Sequence, residues 1–273
     1  MTHALQAWLA IVQRELMKFL RQYGRLASAL VRPLLWLAVF AAGFRNVFGV
    51  AINEPYDTYI TYDAYIAPGL VGMVLLFNGM QSSLAMVYDR EMGLMRLLLT
   101  APLPRWWILL AKLSATAVLS LVQAVAFLAV AALLGTTLPL WGPQTAGFVL
   151  ATVSAALMLG ALGLLLSVHI KQLENFAGTM NFVIFPMYFM STALYPLWKL
   201  EESGAEWVWW IARYNPFTHA VEWMRFALYG KDAGLSPWIV LGTLGLCFAL
   251  AAWGYDPQRG FGALTKRGPG GPA

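Results

Sequence analysis

Long stretches of this chain carry no charge, and their lengths set the first expectations. No Asp, Glu, Lys or Arg lies between Asp63 and Asp89, between Lys112 and Lys171, between Glu174 and Lys199, or between Asp232 and Asp256. A charge at the centre of a bilayer is expensive, and a helix needs about 20 apolar residues to cross one. The run after Lys112 is too long for one crossing. It breaks at 135–143, where Gly135, Pro139, Gly142 and Pro143 cluster. The pattern therefore predicts spans at 64–87, 113–134, 146–168, 175–195 and 236–253. An earlier span is expected at 26–48. Its uncharged core, Pro33 to Phe44, crosses only if Arg32 and Arg45 reach opposite headgroup layers. The expected fold is all-α, a polytopic membrane protein with six transmembrane helices.

A different pattern precedes the spans. Leu5, Trp8, Leu9, Val12, Leu16, Phe19, Leu20 and Tyr23 recur at spacings of three and four. At about 100° per residue they fill one sector of a helix over 3–25. Arg14, Lys18, Arg21 and Arg25 gather on the opposite side. Such a helix is expected to lie in the headgroup layer, with membrane lipid as its partner.

Composition sharpens this picture. Of the 273 residues, 60% are hydrophobic and 11% charged, where a soluble domain has about 25% charged residues. Too few charges remain to coat a water-facing surface, and a disordered chain is excluded by the same apolar mass. The net charge of +5 is explained by topology. With the N-terminus in the cytoplasm, most Lys and Arg fall on the cytoplasmic side of the predicted spans. Both termini are then cytoplasmic, and no nucleic-acid partner is needed. A single domain is expected over 1–255, followed by a partly disordered cytoplasmic tail at 256–273. The one cysteine, Cys247, permits no internal disulfide. His3, His169 and His219 are scattered, so neither a metal site nor a catalytic residue is expected.

The second predicted span runs out into Asp89-Arg90-Glu91-Met92-Gly93-Leu94-Met95-Arg96-Leu97-Leu98-Leu99-Thr100-Ala101-Pro102. This stretch is expected to be helical to about Thr100, with Leu94, Leu97 and Leu98 forming an apolar ridge that either docks on a partner or lies against the membrane or its own bundle. In a second stretch, Asn215 and Pro216 suit the cap and first position of a short helix, and Gly230 its end. Phe217, Val221, Met224 and Leu228 give that helix one apolar face, as if it dips into the outer leaflet. His219, Glu222 and Arg225 share its polar face, where a local Glu222–Arg225 pair is expected.

Together these stretches resemble permease subunits of type 2 ATP-binding-cassette exporters. Glu91, Gly93, Leu97, Leu98 and Pro102 match the Glu, Gly, leucine-pair and Pro order of the family's cytoplasmic signature. Tyr214-Asn215-Pro216-Phe217 resembles the segment before its last span. The resemblance implies a cytoplasmic coupling helix at Glu91, Gly93, Leu94, Leu97 and Leu98, seated on a separate ABC ATPase subunit. It implies a re-entrant extracytoplasmic helix carrying Asn215, Pro216, Glu222 and Arg225. The 3–25 helix would be the family's connecting helix. The resemblance also implies a homodimer of permeases in a bacterial plasma membrane and an exported substrate it leaves unnamed. No G-x-x-x-x-G-K-[ST] motif occurs. ATP and magnesium are therefore expected on the partner, and no cofactor on this chain.

Polar residues within the spans are the remaining candidates. Asn78, Gln81 and Ser82 share a helical face, and Thr179 and Asn181 lie in the fifth span. They either line a pathway or bond helix to helix. Two other readings stay open on the residues alone: a membrane enzyme acting on lipid, and an ion-coupled carrier. Cysteines placed at 89–104 and at 199–231 are expected to react with an impermeant maleimide from opposite faces of sealed vesicles. Labelling from a single face would overturn the six-crossing arrangement.

Overall fold

The computed structural model describes residues 2–21, 23–44, 56, 60–93, 104–170, 172–202 and 204–255. These form ten helices and no strand. In chain order they are α1 (Thr2–Leu20), α2 (Tyr23–Phe44), α3 (Tyr62–Glu91), α4 (Arg105–Leu133) and α5 (Gln144–His169). Then come α6 (Leu173–Phe189), α7 (Leu197–Glu202), α8 (Glu206–Tyr214), α9 (Pro216–Leu228) and α10 (Ser236–Gly254). Among the described residues, α3, α4, α5 and α10 are long and apolar enough to cross a membrane. The chain is thus an all-helical polytopic membrane protein.

Several helix ends depart from the sequence pattern, each for a local reason. α3 stops at Glu91 instead of running to Thr100. Met92 N–H donates to Tyr88 O at 3.0 Å and Gly93 N–H to Arg90 O at 3.1 Å. Gly93 has φ 71°, a left-handed conformation that glycine adopts without strain and that ends helices. Residues 94–103, including Leu94, Leu97 and Leu98, lie outside the described residues.

α4 begins at Arg105, well before the expected 113, with Pro104 extended at its cap. Lys112 therefore does not mark the start of the helix. It is buried and paired with Asp89 at 3.2 Å, and a paired charge need not end a helix.

α6 ends at Phe189 rather than 195, with Pro186 in its last turn. Residues 190–196 leave the helix yet stay inside the protein, and Ser191, Thr192, Ala193 and Leu194 are buried.

The expected 3–25 helix turns at Arg21, and α2 starts at Tyr23. The apolar arc of α1 is divided. Phe19 is buried and Trp8 Nε1 donates to Ser114 Oγ of α4 at 3.3 Å, while Leu5, Leu9 and Met17 are exposed. Arg32 also differs from expectation. Its guanidinium lies 3.8 Å from the centre of the Phe77 ring rather than reaching a helix end.

The centre of the molecule is α5, which packs on α3, α4, α9 and α10. In lipid the apolar effect does not drive helices together, so close packing must do so. Small residues allow it here. A Cβ on Gly163 would lie 2.5 Å from Ser83 Oγ and 2.9 Å from Gly79 O, so α3 and α5 nearly touch. Towards its N-terminus α3 approaches the irregular segment as closely. A Cβ on Gly69 would lie 2.4 Å from Ala193 O. Exposed tryptophans stand at helix ends: Trp106 opens α4, Trp141 precedes α5, and Trp238 and Trp253 sit at the two ends of α10. Amphipathic rings favour such edge positions.

Gly163→Leu is expected to lower the unfolding midpoint in detergent by several degrees, in line with overpacking costs of about 1–3 kcal/mol. Gly178→Ala, which would meet nothing within 4 Å, is expected to leave it unchanged. Size-exclusion profiles recorded after heating check both.

Candidate functional site

At the Glu91 end of α3, four helices are tied by charge. The exposed carboxylate of Glu91 accepts from Leu173 N–H at 2.9 Å. Leu173 is the first residue of α6, so the carboxylate satisfies a free helix N–H and faces the positive end of the dipole. Glu91 thereby joins α3 to α6 within this chain. Two residues back, Asp89 is buried and meets Lys112 of α4 at 3.2 Å and Arg14 of α1 at 3.6 Å. In the sequence Asp89 and Lys112 stand only as the edges of uncharged runs. Their separation of 23 positions holds no periodic signal that would pair them. Of the five expected coupling residues, Glu91 and Gly93 are described, and Gly93 ends α3.

Halfway along α3 a polar seam faces α4. Asn78 is buried and donates through Nδ2 to Ser120 Oγ at 2.7 Å and to Thr116 O at 3.2 Å. Its Oδ1 accepts from Gln123 Nε2 at 3.2 Å. Ser82 Oγ and Thr116 Oγ1 are 2.6 Å apart. Asn78 and Ser82 thus bond helix to helix. Gln81 instead lines a small cavity with Arg32, Met73, Phe77 and Gln123, large enough for about one water.

The candidates in α6 behave differently. Thr179 Oγ1 donates to Asn175 O in its own helix at 2.9 Å, and Asn181 is exposed beside exposed Phe182 and Phe185. Among the described residues no hydrogen bond joins the α3 candidates to those of α6. They are separate features of this chain.

At the opposite end of α3, polar side chains converge on the irregular segment 190–196. Asn215 caps α9, its Oδ1 accepting from Phe217 N–H at 3.0 Å, and Pro216 is the first helical residue. The Nδ2 of the same side chain donates to Met187 O at 2.8 Å and Met190 O at 2.9 Å. Tyr62 OH donates to Leu194 O at 2.6 Å and Tyr65 OH to Thr192 O at 3.2 Å.

Arg225 is only 2% exposed. Its Nη1 is 2.6 Å from Glu222 Oε1, its Nη2 donates to Thr192 O at 2.9 Å, and its guanidinium lies 4.1 Å from the Tyr65 ring centre. The expected local Glu222–Arg225 pair is present. What the helical spacing could not give is its depth, because the third partner comes from a segment 33 positions away. His219 stands apart from the pair. Its Nε2 donates to Arg213 O at 3.0 Å, which leaves Nδ1 to accept from Ser236 Oγ at 3.2 Å.

Removing one member of a buried pair costs about 3–5 kcal/mol, while replacing both by apolar residues costs far less. Arg225→Met is therefore expected to lower the detergent unfolding midpoint sharply. The double variant Arg225→Met, Glu222→Met should recover most of that loss. Absence of recovery would place the cost on the stranded Thr192 carbonyl instead.

The family model described as ABC-2 type transporter matches residues 6–229. A protein of Porphyra purpurea named "Putative transport permease ycf38" is 30% identical over 231 residues, covering 82% of this chain and 74% of that protein. Proteins of the same name from Pyropia yezoensis and Cyanophora paradoxa are each 30% identical. They match 80% and 85% of this chain and 72% and 77% of their own lengths. A chain of apolar helices, tied at one end by Glu91 and at the other by Arg225, that matches this family over most of its length belongs to the ABC-2 type transporters: it is a membrane subunit of an ABC transporter, of the kind that pairs with an ABC ATPase.

Proposed function

We propose that this chain forms the translocation pathway of an exporter in a bacterial plasma membrane, as one of two identical permeases. In this reading α2 to α6 and α10 are its six crossings. α6 is short for the role, with 17 residues, or about 26 Å of helix at 1.5 Å per residue. α1 lies along the cytoplasmic headgroups, where its exposed Leu5, Leu9 and Met17 meet lipid. The excess of Lys and Arg on the N-terminal side supports cytoplasmic termini. α9 takes the place of the re-entrant helix. ATP and magnesium act on the partner, and this chain binds neither. Family membership displaces the lipid-enzyme and ion-coupled-carrier readings.

The observation that carries the coupling role is the Glu91–Leu173 hydrogen bond. In this reading the ATPase meets the segment that follows Glu91. Glu91 holds the start of α6, so a displacement of that segment reaches α3 and α6 at once. The polar residues of α3 would then hold the pathway wall together, and Thr179 and Asn181 would face the pathway between the two copies.

Glu91→Lys places a cation at a helix N-terminus and removes the acceptor, while Leu97→Asp disrupts the docking ridge. Each is expected to reduce ATP-driven transport at least tenfold in proteoliposomes containing the ATPase, with normal membrane insertion. Glu91→Gln, which keeps an acceptor, should retain part of the activity. Full transport in both disruptive variants would reject the coupling role.

A further inference from the structure

Arg32 stands at an unusual depth. Its guanidinium lies 3.8 Å from the centre of the Phe77 ring. Phe77 is 15 residues from Tyr62 and 14 from Glu91, the two ends of α3. At 1.5 Å per residue that is about 21–22 Å from either end. The charge therefore sits near the midpoint of a crossing helix, and its stem folds inward rather than out to a headgroup layer. A guanidinium does not lose its proton, and a cation at this depth is costly without a counter-charge. The Phe77 ring offsets only part of that cost.

Among the described residues no carboxylate pairs with Arg32, and the side chain makes no hydrogen bond. The neighbouring amides divide into two groups. Asn78 and Gln123 bond to each other and to Ser120 and Thr116. Gln81 makes no hydrogen bond among the described residues and lines the same cavity as Arg32. Two side chains with donors that make no hydrogen bond among the described residues, one of them cationic, thus border one small cavity of mixed polar and apolar lining. Arg32 is exposed, and Leu35 and Val39, three and seven positions on, continue its face of α2 as an exposed apolar strip.

We propose that Arg32 and Gln81 bind, at the exposed edge of this one-water cavity rather than inside it, the anionic group of an amphiphile, a carboxylate or phosphate, whose hydrocarbon part lies along Leu35 and Val39. Arg32 supplies the charge and a fork of donors that fits a planar or tetrahedral oxyanion. Gln81 supplies one amide N–H. The anion removes the cost of a lone intramembrane cation, and the apolar strip selects a ligand that arrives through the bilayer. The same chemistry belongs to a single-chain cargo and to an anionic membrane lipid. The cargo assignment, unlike the site itself, rests on the transport reading above.

The test uses the full chain in nanodiscs of phosphatidylcholine. The probes are a photoreactive sixteen-carbon fatty acid and the alcohol of the same chain. The acid is expected to label peptides from 30–40 and 73–81 at least tenfold more than the alcohol. Arg32→Gln should lose that preference, and Arg32→Lys should keep part of it. Gln81→Leu, which leaves the cation in place, should weaken labelling several-fold, and it decides the matter if Arg32→Gln does not fold.

Adding phosphatidylglycerol separates the two sources. Labelling that survives it identifies a single-chain ligand, and labelling that it displaces identifies a bilayer lipid. Both outcomes support an anion site. Equal labelling by acid and alcohol, or wild-type labelling in a folded Arg32→Gln, overturns the proposal. Labelling needs no ATPase. A complex that fails to couple ATP hydrolysis to transport would therefore sink the exporter reading and leave this site standing.

Discussion

Inside a bilayer no water is at hand to bond a peptide carbonyl, so every break in a crossing helix must be answered by side chains. The break after α6 is the most demanding place in this molecule. The carbonyls of Met187, Met190, Thr192 and Leu194 are met by Asn215, Arg225, Tyr65 and Tyr62. Two of these partners come from α3 and two from α9 and its cap. The position of α9 is therefore set by the needs of α6, and the close approach of Gly69 to Ala193 follows from the same arrangement. A buried Arg is commonly a liability. Here its depth has a purpose, because one guanidinium serves a carbonyl and a carboxylate at once.

α3 is the element through which both ends communicate. At one end its tyrosines hold the break. In the middle Asn78 and Ser82 fasten it to α4 and its glycines press it against α5. At the other end Asp89 gathers Arg14 and Lys112, and Glu91 takes the first N–H of α6. Glu91 therefore has a structural role of its own, as the bond between α3 and the start of α6.

Much of this was legible in the sequence, and the remainder failed for identifiable reasons. The crossings could be read because unpaired charges avoid lipid, which made 144–169 and 236–254 visible to within two residues. The cap Asn215-Pro216 and the apolar face from Phe217 to Leu228 are local patterns, and local patterns can be read from local residues. Boundaries set by charges misled where the charge found a distant partner, as at Lys112. The end of α6 was hidden because the side chains that stabilise a break at 190 lie on other helices. Arg32 was assigned to a headgroup layer because periodicity gives a direction around a helix, not the depth of the ring beside it. The amide seam was half visible: one face of α3 was polar, but only the fold shows that Asn78 and Ser82 are engaged and Gln81 is not.

The tight contact at Gly79 and Gly163 has a mechanical meaning. A helix that turns about its closest contact acts as a lever on that pivot. Gly79 is 12 residues from Glu91 and 17 from Tyr62, giving arms of about 18 and 26 Å at 1.5 Å per residue. A sideways shift of the shorter arm swings the longer one in the opposite direction and enlarges it by roughly half. Because Tyr62, Tyr65 and Gly69 grip the segment after α6, the swing would carry that segment and α9 with it.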